Sequence, residues 1–346
     1  GKTQAVEKNT RVKARVKAHA LKEFMNTKEK VVVMGHRLPD ADSFGAAIGI
    51  YRAAKTLNKK AYIVIDNPTS SIIPLMNTFR DNQDYEADMF VNNHEAKEIM
   101  DDNTLLVVVD TNKPSITQCE DLLYMAKMIV VLDHHRQGSD TIRNSVLSYI
   151  EPYASSASEM VAEILQYFTE GIRIRNVEAD SIYAGIMIDT DNFMQKTGVR
   201  TFEAAAFLRR CGADVTRVRK LFREDMNDYK ARGETIRNAE LFRGQFAISE
   251  CPSDYVDSPT VVGAQAANEL LNIVGVKASF VLTEYKGVIY ISARAIDEVN
   301  VQIIMERMGG GGHLNMAGCQ LETVNMEEAR NLLKSTLTEM QDGGEI

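Results

Sequence analysis

Histidine and aspartate side chains follow several short apolar runs in the first half of the chain. His36 follows one run and precedes Asp40 and Asp42, Asp110 ends a second run, and Asp133–His135 end a third. Imidazole nitrogens and carboxylate oxygens suit Mn²⁺, Mg²⁺ and Co²⁺, whereas zinc more often recruits cysteine, and no cysteine lies near these motifs. Carboxylates brought together without a cation would repel one another. These residue types therefore favour a site for divalent metal ions.

The apolar runs themselves predict the elements that position these side chains. The four runs are 31-VVVMGH-36, 61-AYIVID-66, 105-LLVVVD-110 and 128-MIVVLDHH-135. Continuous β-branched runs of this length are typical of strands buried on both faces of a parallel sheet. Helical patterns at 43–57 and 116–127 alternate with them, which predicts an α/β domain. Because ligands bind outside the carboxyl ends of parallel strands, we expect the histidines and aspartates to converge at that edge.

A further aspartate, Asp189, ends the apolar helical pattern 182-IYAGIMI-188. An acidic side chain opposes the dipole at the end of a helix, and a bound cation would offset that cost. The number of ligands predicts a two-metal site, with Mn²⁺ favoured over Mg²⁺ and Co²⁺. Two cations about 3.5–4 Å apart can bridge a hydroxide and stabilise the attacking and leaving oxygens at phosphorus. The predicted chemistry is hydrolysis of a phosphoester or a phosphoanhydride.

The last third of the chain predicts a second, smaller α/β domain. Strands are expected at 246–250, 280–285 and 288–295, and helices at 260–274, 299–308 and 326–340. Within it, 309-GGGGHLNMAG-318 follows a predicted helix. Glycines let backbone N–H groups approach an anion closely, and His313 adds a donor. Arg294, near a strand end, offers a fork of donors that would suit a phosphate.

Composition and charge exclude several classes of protein. Hydrophobic residues make up 45% and charged residues 25%, as in ordinary globular proteins. The net charge is −8, but residues 1–30 carry nine Lys or Arg against three Glu, so the remainder holds −14. A body this acidic is a poor match for long nucleic acid, which needs a basic track. The longest apolar runs, of about five residues, are far short of a membrane span, so we expect a soluble fragment.

The ends and the cysteines of the chain suggest its context. The four cysteines lie far apart and form no Cys-x-x-Cys pair, so a reducing cytoplasm is expected. The first residue is not Met, and the basic stretch 2–24 is prone to form a helix. We interpret this stretch as a solvated helical linker in a piece cut from a longer protein, and the alternative is a helix that packs on a missing upstream domain or on a partner.

The ordered set His36-x-x-x-Asp40-x-Asp42, Asp110, Asp133-His134-His135 and Asp189 resembles the four motifs of the DHH phosphoesterase superfamily. The Gly-Gly-Gly-Gly-His segment resembles the signature of its DHH-associated C-terminal subdomain. The resemblance covers about residues 30–343. The segment 35-GHRLPDADSFGAAIGI-50 is similar to the GdpP-type branch of cyclic-di-AMP phosphodiesterases. The related nanoRNases more often have Asp-Gly-Asp where this chain has Asp40-Ala41-Asp42.

The resemblance implies a Rossmann-like, mostly parallel sheet domain plus a smaller α/β C-terminal domain, with the metal site in the cleft between them. The implied organisation is a basic helical linker (1–29), a DHH catalytic domain (30–213), a helical connector (214–240) and a DHH-associated substrate-binding domain (241–346). In this branch the missing N-terminal part carries transmembrane helices, a PAS domain and a degenerate GGDEF domain. The resemblance thus implies a cytoplasmic portion of a membrane-anchored protein, as a homodimer.

The resemblance also implies a role for each site residue. One Mn²⁺ would take His36, Asp40 and Asp110, and the other would take Asp42, Asp110, His134 and Asp189. His135 would contact the scissile phosphate, and Asp133 would support this loop as part of the catalytic set. Arg294, Gly311, Gly312 and His313 would bind the other phosphate or the nucleotide. Arg200 is a weaker candidate, for which a surface salt bridge is the simpler interpretation.

The implied reaction is attack of a metal-bridging hydroxide on one phosphorus of cyclic-di-AMP, departure of the 3′-oxygen and release of linear 5′-pApA. Two alternatives remain at this point. The chain could be a nanoRNase or pyrophosphatase of the same superfamily, or a non-catalytic cyclic-dinucleotide sensor. No residue pattern specifies the adenine contacts, and no stacking residue stands out among 12 Tyr and 12 Phe.

Overall fold

The computed structural model describes residues 2–296 and 299–346, with side chains from Arg11 onward. The described residues divide into two compact units, the first reaching Arg223 and the second beginning at Glu224. Gly1, at the start of the predicted linker, lies outside the described residues. The helices of the predicted connector 214–240 fall on both sides of the division between the units. The four domain boundaries stay predictions.

The first unit alternates strands and helices along most of its length. Its elements are α1 (Lys2–Asn26), β1 (Lys30–Met34), α2 (Ala41–Thr56), β2 (Lys60–Val64), α3 (Ile73–Arg80), β3 (Phe90–Val91), α4 (Asn93–Ile99), β4 (Thr104–Val109), α5 (Asp121–Met125), β5 (Ile129–Asp133), β6 (Leu147–Ile150), α6 (Ala157–Phe168), α7 (Asn176–Asp189), α8 (Val199–Arg210) and α9 (Val215–Leu221). The predicted α/β class is confirmed.

Six strands form the sheet of this unit, in the order β3-β2-β1-β4-β5-β6, and every pairing is parallel. The strand order reverses between β1 and β4, which are neighbours in the sheet. In open parallel sheets the crevice at such a reversal is where ligands bind, beyond the carboxyl ends of the strands. The chain beyond these two strands carries His36 and Asp110.

The central strands are apolar on both faces because helices cover both sides of the sheet. Val31 and Val33 of β1 pack into one core with residues of α2, α6 and α7. Val32 and Met34 of the same strand face the opposite way, into a second core with residues of α4 and α5. Burial on both faces removes the alternation of polar residues that a half-exposed strand would show, as the sequence predicted.

The N-terminal helix differs from a solvated linker. Ala14, Ala18, Leu21 and Met25 of α1 are fully buried. Their spacing of three and four residues puts them on one face of the helix, which packs against α6. The stretch is helical, as expected, but its apolar stripe belongs to the core of the first unit.

The prediction of a single helix over residues 116–127 is mostly wrong. The segment forms a short 3₁₀ turn at Pro114–Ile116 and the five-residue α5, with a bridge, a bend and a turn between them. Thr117 pairs with His36 in an isolated bridge, and the N–H of Gln118 donates to the carbonyl of Gly35 at 2.8 Å. These contacts, distant in sequence, override the local helical pattern and fix the loop that carries His36.

The second unit contains α10 (Met226–Arg237), β7 (Glu240–Phe242), β8 (Phe246–Cys251), α11 (Pro259–Leu270), β9 (Ala278–Tyr285), β10 (Val288–Ala295), α12 (Val301–Arg307), β11 (Gly311–His313), β12 (Met316–Leu321) and α13 (Met326–Asp342). Six strands form its mixed sheet, in the order β11-β12-β10-β9-β8-β7. Among the described strands of this second sheet, only β8 and β9 pair in parallel. The predicted smaller α/β domain is therefore present.

The two faces of this second sheet are covered unequally. Helices α12 and α13 contribute to a core with Phe280 and Ile291 on one face. On the other face α11 packs on Val281 of β9. The glycine run, which the sequence predicted as an anion-binding segment, includes strand β11, which pairs with β12. Among the described residues, no helix is both long enough and apolar enough to cross a membrane.

Candidate metal centre

The loop after β1 places His36 and Asp40 beside each other. Gly35 leads into this loop because any side chain there would collide with Ser43, whose Oγ lies 1.8 Å from the position of an added Cβ. Asp40 caps α2, since its Oδ1 accepts a hydrogen bond from the N–H of Ser43 at 2.9 Å. Its other oxygen, Oδ2, lies 3.5 Å from Nε2 of His36. The helix cap thus also orients a carboxylate oxygen toward the imidazole.

Asp110 lies at the centre of the site, directly after β4. Its φ of +58° is left-handed, a conformation that Asp tolerates better than most residues. The side chain is 3% exposed, and its Oδ2 lies 3.2 Å from Nε2 of His36. Oδ1 lies 3.3 Å from Nε2 of His134 but accepts no hydrogen bond from any described residue. One buried carboxylate therefore faces two imidazoles.

The N-terminus of α6 fixes Asp42. The backbone N–H groups of Ala157 and Ser158 each donate to one of its carboxylate oxygens at 2.7 Å. Nε2 of His134 lies 3.7 Å from Oδ2 of Asp42 and 3.7 Å from Oδ2 of Asp189. That Asp189 oxygen is buried and has no hydrogen-bond partner among the described residues.

Asp133 and His135 form a hydrogen-bonded chain that also includes Asn112. Asp133 is fully buried, and its Oδ1 lies 2.8 Å from Nδ1 of His135 and accepts from the N–H of His135 at 3.2 Å. The amide of Asn112 donates to Oδ2 of Asp133 at 2.5 Å. Asn112 was not predicted from the sequence. The available signal was a polar residue two positions after Asp110, the aspartate that follows β4.

Three groups of side chains in this unit could each bind a metal ion. They are Asp110, His134 and His135; His36, Asp40 and Asp110; and Asp42, His134 and Asp189. Within each group the ligand atoms lie within 4.8 Å of one another. The donor set fits divalent cations, because two buried carboxylate oxygens in it, on Asp110 and Asp189, lack hydrogen-bond partners within the part of the chain that the structure describes. All six predicted metal ligands therefore come together.

The four predicted substrate-binding residues lie in the second unit. Arg294 of β10 pairs with Met316 of β12, which pairs in turn with His313 of β11, so the three share one row across the sheet. The Nε of Arg294 is buried without a hydrogen-bond partner among the described residues. Gly312 has a φ of +149°, and an added Cβ would lie 2.5 Å from backbone atoms of Ala317 and Met316. His313 is exposed.

Comparison with known proteins accounts for both units. Residues 30–186 match the DHH family, N-terminal domain, and residues 246–339 match the DHHA1 domain. The chain contains a DHH domain followed by a DHHA1 domain. This result confirms the resemblance to the DHH superfamily.

The DHH–DHHA1 chain is similar to proteins named as cyclic-di-AMP phosphodiesterases. It is 44% identical over 350 residues to GdpP of Bacillus subtilis (strain 168), covering 99% of this chain and 53% of that protein. It is 40% identical over 340 residues to PdeA of Listeria monocytogenes serotype 1/2a (strain 10403S), covering 97% of this chain and 51% of that protein. The chain spans about half the length of these curated relatives.

A solved structure supports the fold. An exopolyphosphatase-related protein from Bacteroides fragilis superposes with a TM-score of 0.78 at 20% identity, covering 94% of this chain and 97% of that one. At 20% identity, this similarity supports a shared arrangement of strands and helices and nothing further.

The electrostatics of the DHH domain show an excess of negative charge at the site. Burial alone would lower the pKa of His36, but the carboxylate of Asp110 helps to raise it to about 10. Burial alone would also lower the pKa of His134, but the neighbouring carboxylates raise it to about 9. Burial and the charges of Asp110 and Asp189 raise the pKa of Asp42 well above its usual value. Bound cations would compensate this excess.

Arg200 of the DHH domain forms a salt bridge, as expected, but not on the surface. Its guanidinium donates to Glu163, and both side chains are largely buried. A further contact at 3.4 Å reaches the hydroxyl of Tyr149. The pair ties α8 to α6, so Arg200 is occupied by a structural contact.

Proposed function

We propose that this chain is a metal-dependent phosphodiesterase that hydrolyses cyclic-di-AMP to linear 5′-pApA. The observation that carries the proposal is the cluster of carboxylates and imidazoles around Asp110, at the reversal of strand order in the parallel sheet. Its substrate is inferred from the 40–44% identity to cyclic-di-AMP phosphodiesterases over nearly the whole chain.

The proposed ligand sets follow the contacts around Asp110. One cation would be held by His36, Asp40 and Asp110, and a second by Asp110 together with Asp42, His134 and Asp189. Oxygen-rich sets with a few imidazoles favour Mn²⁺, and Mg²⁺ or Co²⁺ are further possibilities. When bound, such cations lower the pKa of water to yield a nucleophile and stabilise charge on the oxygens around phosphorus.

His135 is the proposed contact to the scissile phosphate. Its Nδ1 is engaged by the buried carboxylate of Asp133, which leaves Nε2 as the ring nitrogen able to contact substrate. Asp133 in turn depends on the amide of Asn112.

In the overall reaction, water adds to one phosphorus of the cyclic dinucleotide and the bond from that phosphorus to the 3′-oxygen breaks. One proton of the water ends on the departing 3′-oxygen, so the ring opens to a dinucleotide with a 5′-phosphate.

In the DHHA1 domain, Arg294, Gly311, Gly312 and His313 are proposed to bind the other phosphate or the nucleotide, because they offer a guanidinium, backbone amides and an imidazole.

The decisive experiment is hydrolysis by metal-stripped protein, with and without added Mn²⁺, followed by chromatography. Cyclic-di-AMP, pApA, short oligoribonucleotides and pyrophosphate are compared as substrates, and Asp110→Asn serves as the inactive control. Mn²⁺-dependent release of pApA that stops at this product would support the proposal. Cleavage of oligoribonucleotides or pyrophosphate alone would indicate the other enzymes of the superfamily. Binding of cyclic-di-AMP without turnover would indicate a sensor.

We further propose that the chain is a homodimer and the cytoplasmic part of a membrane-anchored protein. Both statements rest on the resemblance to the GdpP-type branch, whose curated members extend beyond the half of their length that this chain spans. Analytical ultracentrifugation of the chain tests the first, and membrane fractionation of the full-length protein tests the second.

A further inference from the structure

An open hollow of about 560 Å³ lies in the second unit, on the sheet face that α11 leaves partly uncovered. Its lining includes Thr260, Tyr290, Ser292, Gly311, Gly318 and Gln320. The volume falls within the range of about 300–1,000 Å³ that is typical of sites for small molecules.

The strand register explains why the hollow exists. Ser292 of β10 pairs with Gly318 of β12, which pairs with Gly311 of β11, so only one of these three neighbouring positions carries a side chain. An added Cβ at Gly311 would meet no other atom within 4 Å. In the neighbouring row Tyr290 pairs with Gln320, and paired residues project from the same face. The two glycines therefore form a floor, and Tyr290 and Gln320 form a wall.

The polar groups around the hollow are free to bind a ligand. Within residues 11–296 and 299–346, the side chains of Thr260, Tyr290, Ser292 and Gln320 form no hydrogen bond to another residue. A phenol ring, hydroxyls and an amide around a flat floor suit a planar group with polar edges, which they can contact by stacking and hydrogen bonding.

The hollow continues toward a group that suits a phosphate. Arg294 lies two residues beyond Ser292 on β10, on the same face, in the row that contains His313. Two residues of an antiparallel strand span about 6.8 Å. A ribose separates phosphate and base by a comparable span, so a nucleotide held by phosphate at Arg294 can extend its base over the glycine floor.

We propose that this hollow binds a nucleobase, with Tyr290 as the stacking residue and Ser292 and Gln320 as contacts to the edge of the base. The inference deepens the proposed function and rests on it for the identity of the ligand as a nucleotide. The proposal makes Tyr290, one of the 12 tyrosines, the residue that stacks on the base, a role for which the sequence indicated no candidate.

The test compares two ligands that differ only by the base. Dissociation constants of 5′-AMP and ribose 5-phosphate are measured by isothermal titration calorimetry with the intact chain in Mn²⁺ buffer. We expect 5′-AMP to bind about tenfold more tightly, a preference of the size that base–aromatic stacking supplies. Tyr290→Ala should remove this preference and Tyr290→Phe should retain it. Leu241→Ala, at an exposed position of the opposite edge strand β7, is the matched control.

A second variant fills the hollow. Gly311→Val introduces a side chain where the structure has open space, so the fold should be kept while the preference for 5′-AMP is lost. An unchanged preference in both Tyr290→Ala and Gly311→Val would overturn the proposal, as would equal binding of the two ligands to the unaltered chain. A Tyr290-dependent preference without turnover of cyclic-di-AMP would retain the nucleobase site and reject the proposed function. Normal turnover without that preference would reject the nucleobase site alone.

Discussion

Asn112→Ala tests whether the buried chain of hydrogen bonds positions His135. Asn112 is 2% exposed, and its amide donates to Oδ2 of a carboxylate, on Asp133, that has no exposed surface. The other oxygen of that carboxylate keeps its two contacts to His135. The substitution therefore removes the one donor on Oδ2 among the described residues and leaves the charge buried.

The expected loss of stability follows from this geometry. A hydrogen bond to a charged group contributes about 1.5–3 kcal/mol, and breaking a buried ion pair costs about 3–5 kcal/mol. Because Oδ1 keeps its donors, we expect the free energy of unfolding to fall by about 2–3 kcal/mol. For a unit of this size that corresponds to a decrease in Tm of roughly 5–10 °C.

The expected loss of activity is separate from the loss of stability. Substitution of groups that orient the residues of a metal site typically costs about 10–100-fold in activity. We expect kcat for cyclic-di-AMP to fall by about that factor below the Tm of the variant, with KM changed by less than about threefold. Steady-state kinetics and urea unfolding of the same preparation measure both quantities.

Asn67→Ala is the matched control, because the amide of Asn67 donates to the carboxylate of Asp66 at 3.0 Å on the exposed surface. We expect it to lower stability by less than about 0.5 kcal/mol. If Asn112→Ala is as stable as the unaltered chain, the hydrogen bond from the amide of Asn112 to Asp133 does not contribute to the free energy of unfolding. If the variant is less stable but keeps its kcat, the position of His135 does not depend on the hydrogen bond between Asn112 and Asp133, and the proposed positioning role of Asn112 is refuted.

The remaining predictions concern the site and the core of the first unit. Asp110→Asn keeps the shape of the side chain but removes its charge, so Mn²⁺ affinity measured by calorimetry should fall at least about 100-fold; unchanged affinity would exclude Asp110 as a ligand. Arg52→Met leaves the fully buried Glu178 without its cation, and urea unfolding should show a loss of about 3–5 kcal/mol; less than about 1 kcal/mol would contradict a charged pair. Gly45→Ala would place a Cβ 2.5 Å from a backbone carbonyl of α7 and should cost about 1–3 kcal/mol, whereas Gly233→Ala, with open space around it, should cost nothing.

The parallel sheet could be predicted because its signals are local. Each strand is a continuous apolar run that ends in a polar residue, and a parallel sheet brings the carboxyl ends of its strands to one edge. Nothing more was needed to bring His36, Asp110 and His134 together. Asp189 was predicted from the end of a helix, and the structure brings it within 3.7 Å of His134.

The parts that could not be predicted depend on contacts distant in sequence. The helical pattern at 116–127 is interrupted because Thr117 and Gln118 pair with the loop at Gly35 and His36. The hydrogen bond between Asn112 and Asp133 joins two different strand ends. No periodicity in the sequence encodes such a contact, since each partner alone is only a polar residue in a loop.

The glycine run shows how register converts an ambiguous pattern into a defined surface. Four glycines alone are consistent with a linker, a turn or a phosphate-binding loop. Pairing of Gly311 from this run with Gly318 of β12 places two positions without side chains next to each other, and pairing of Gly318 with Ser292 sets them beside Tyr290. The chemistry of this face therefore arises from which residues are opposite one another, and a shift by one residue would replace the glycine floor with Ala317 and close the hollow.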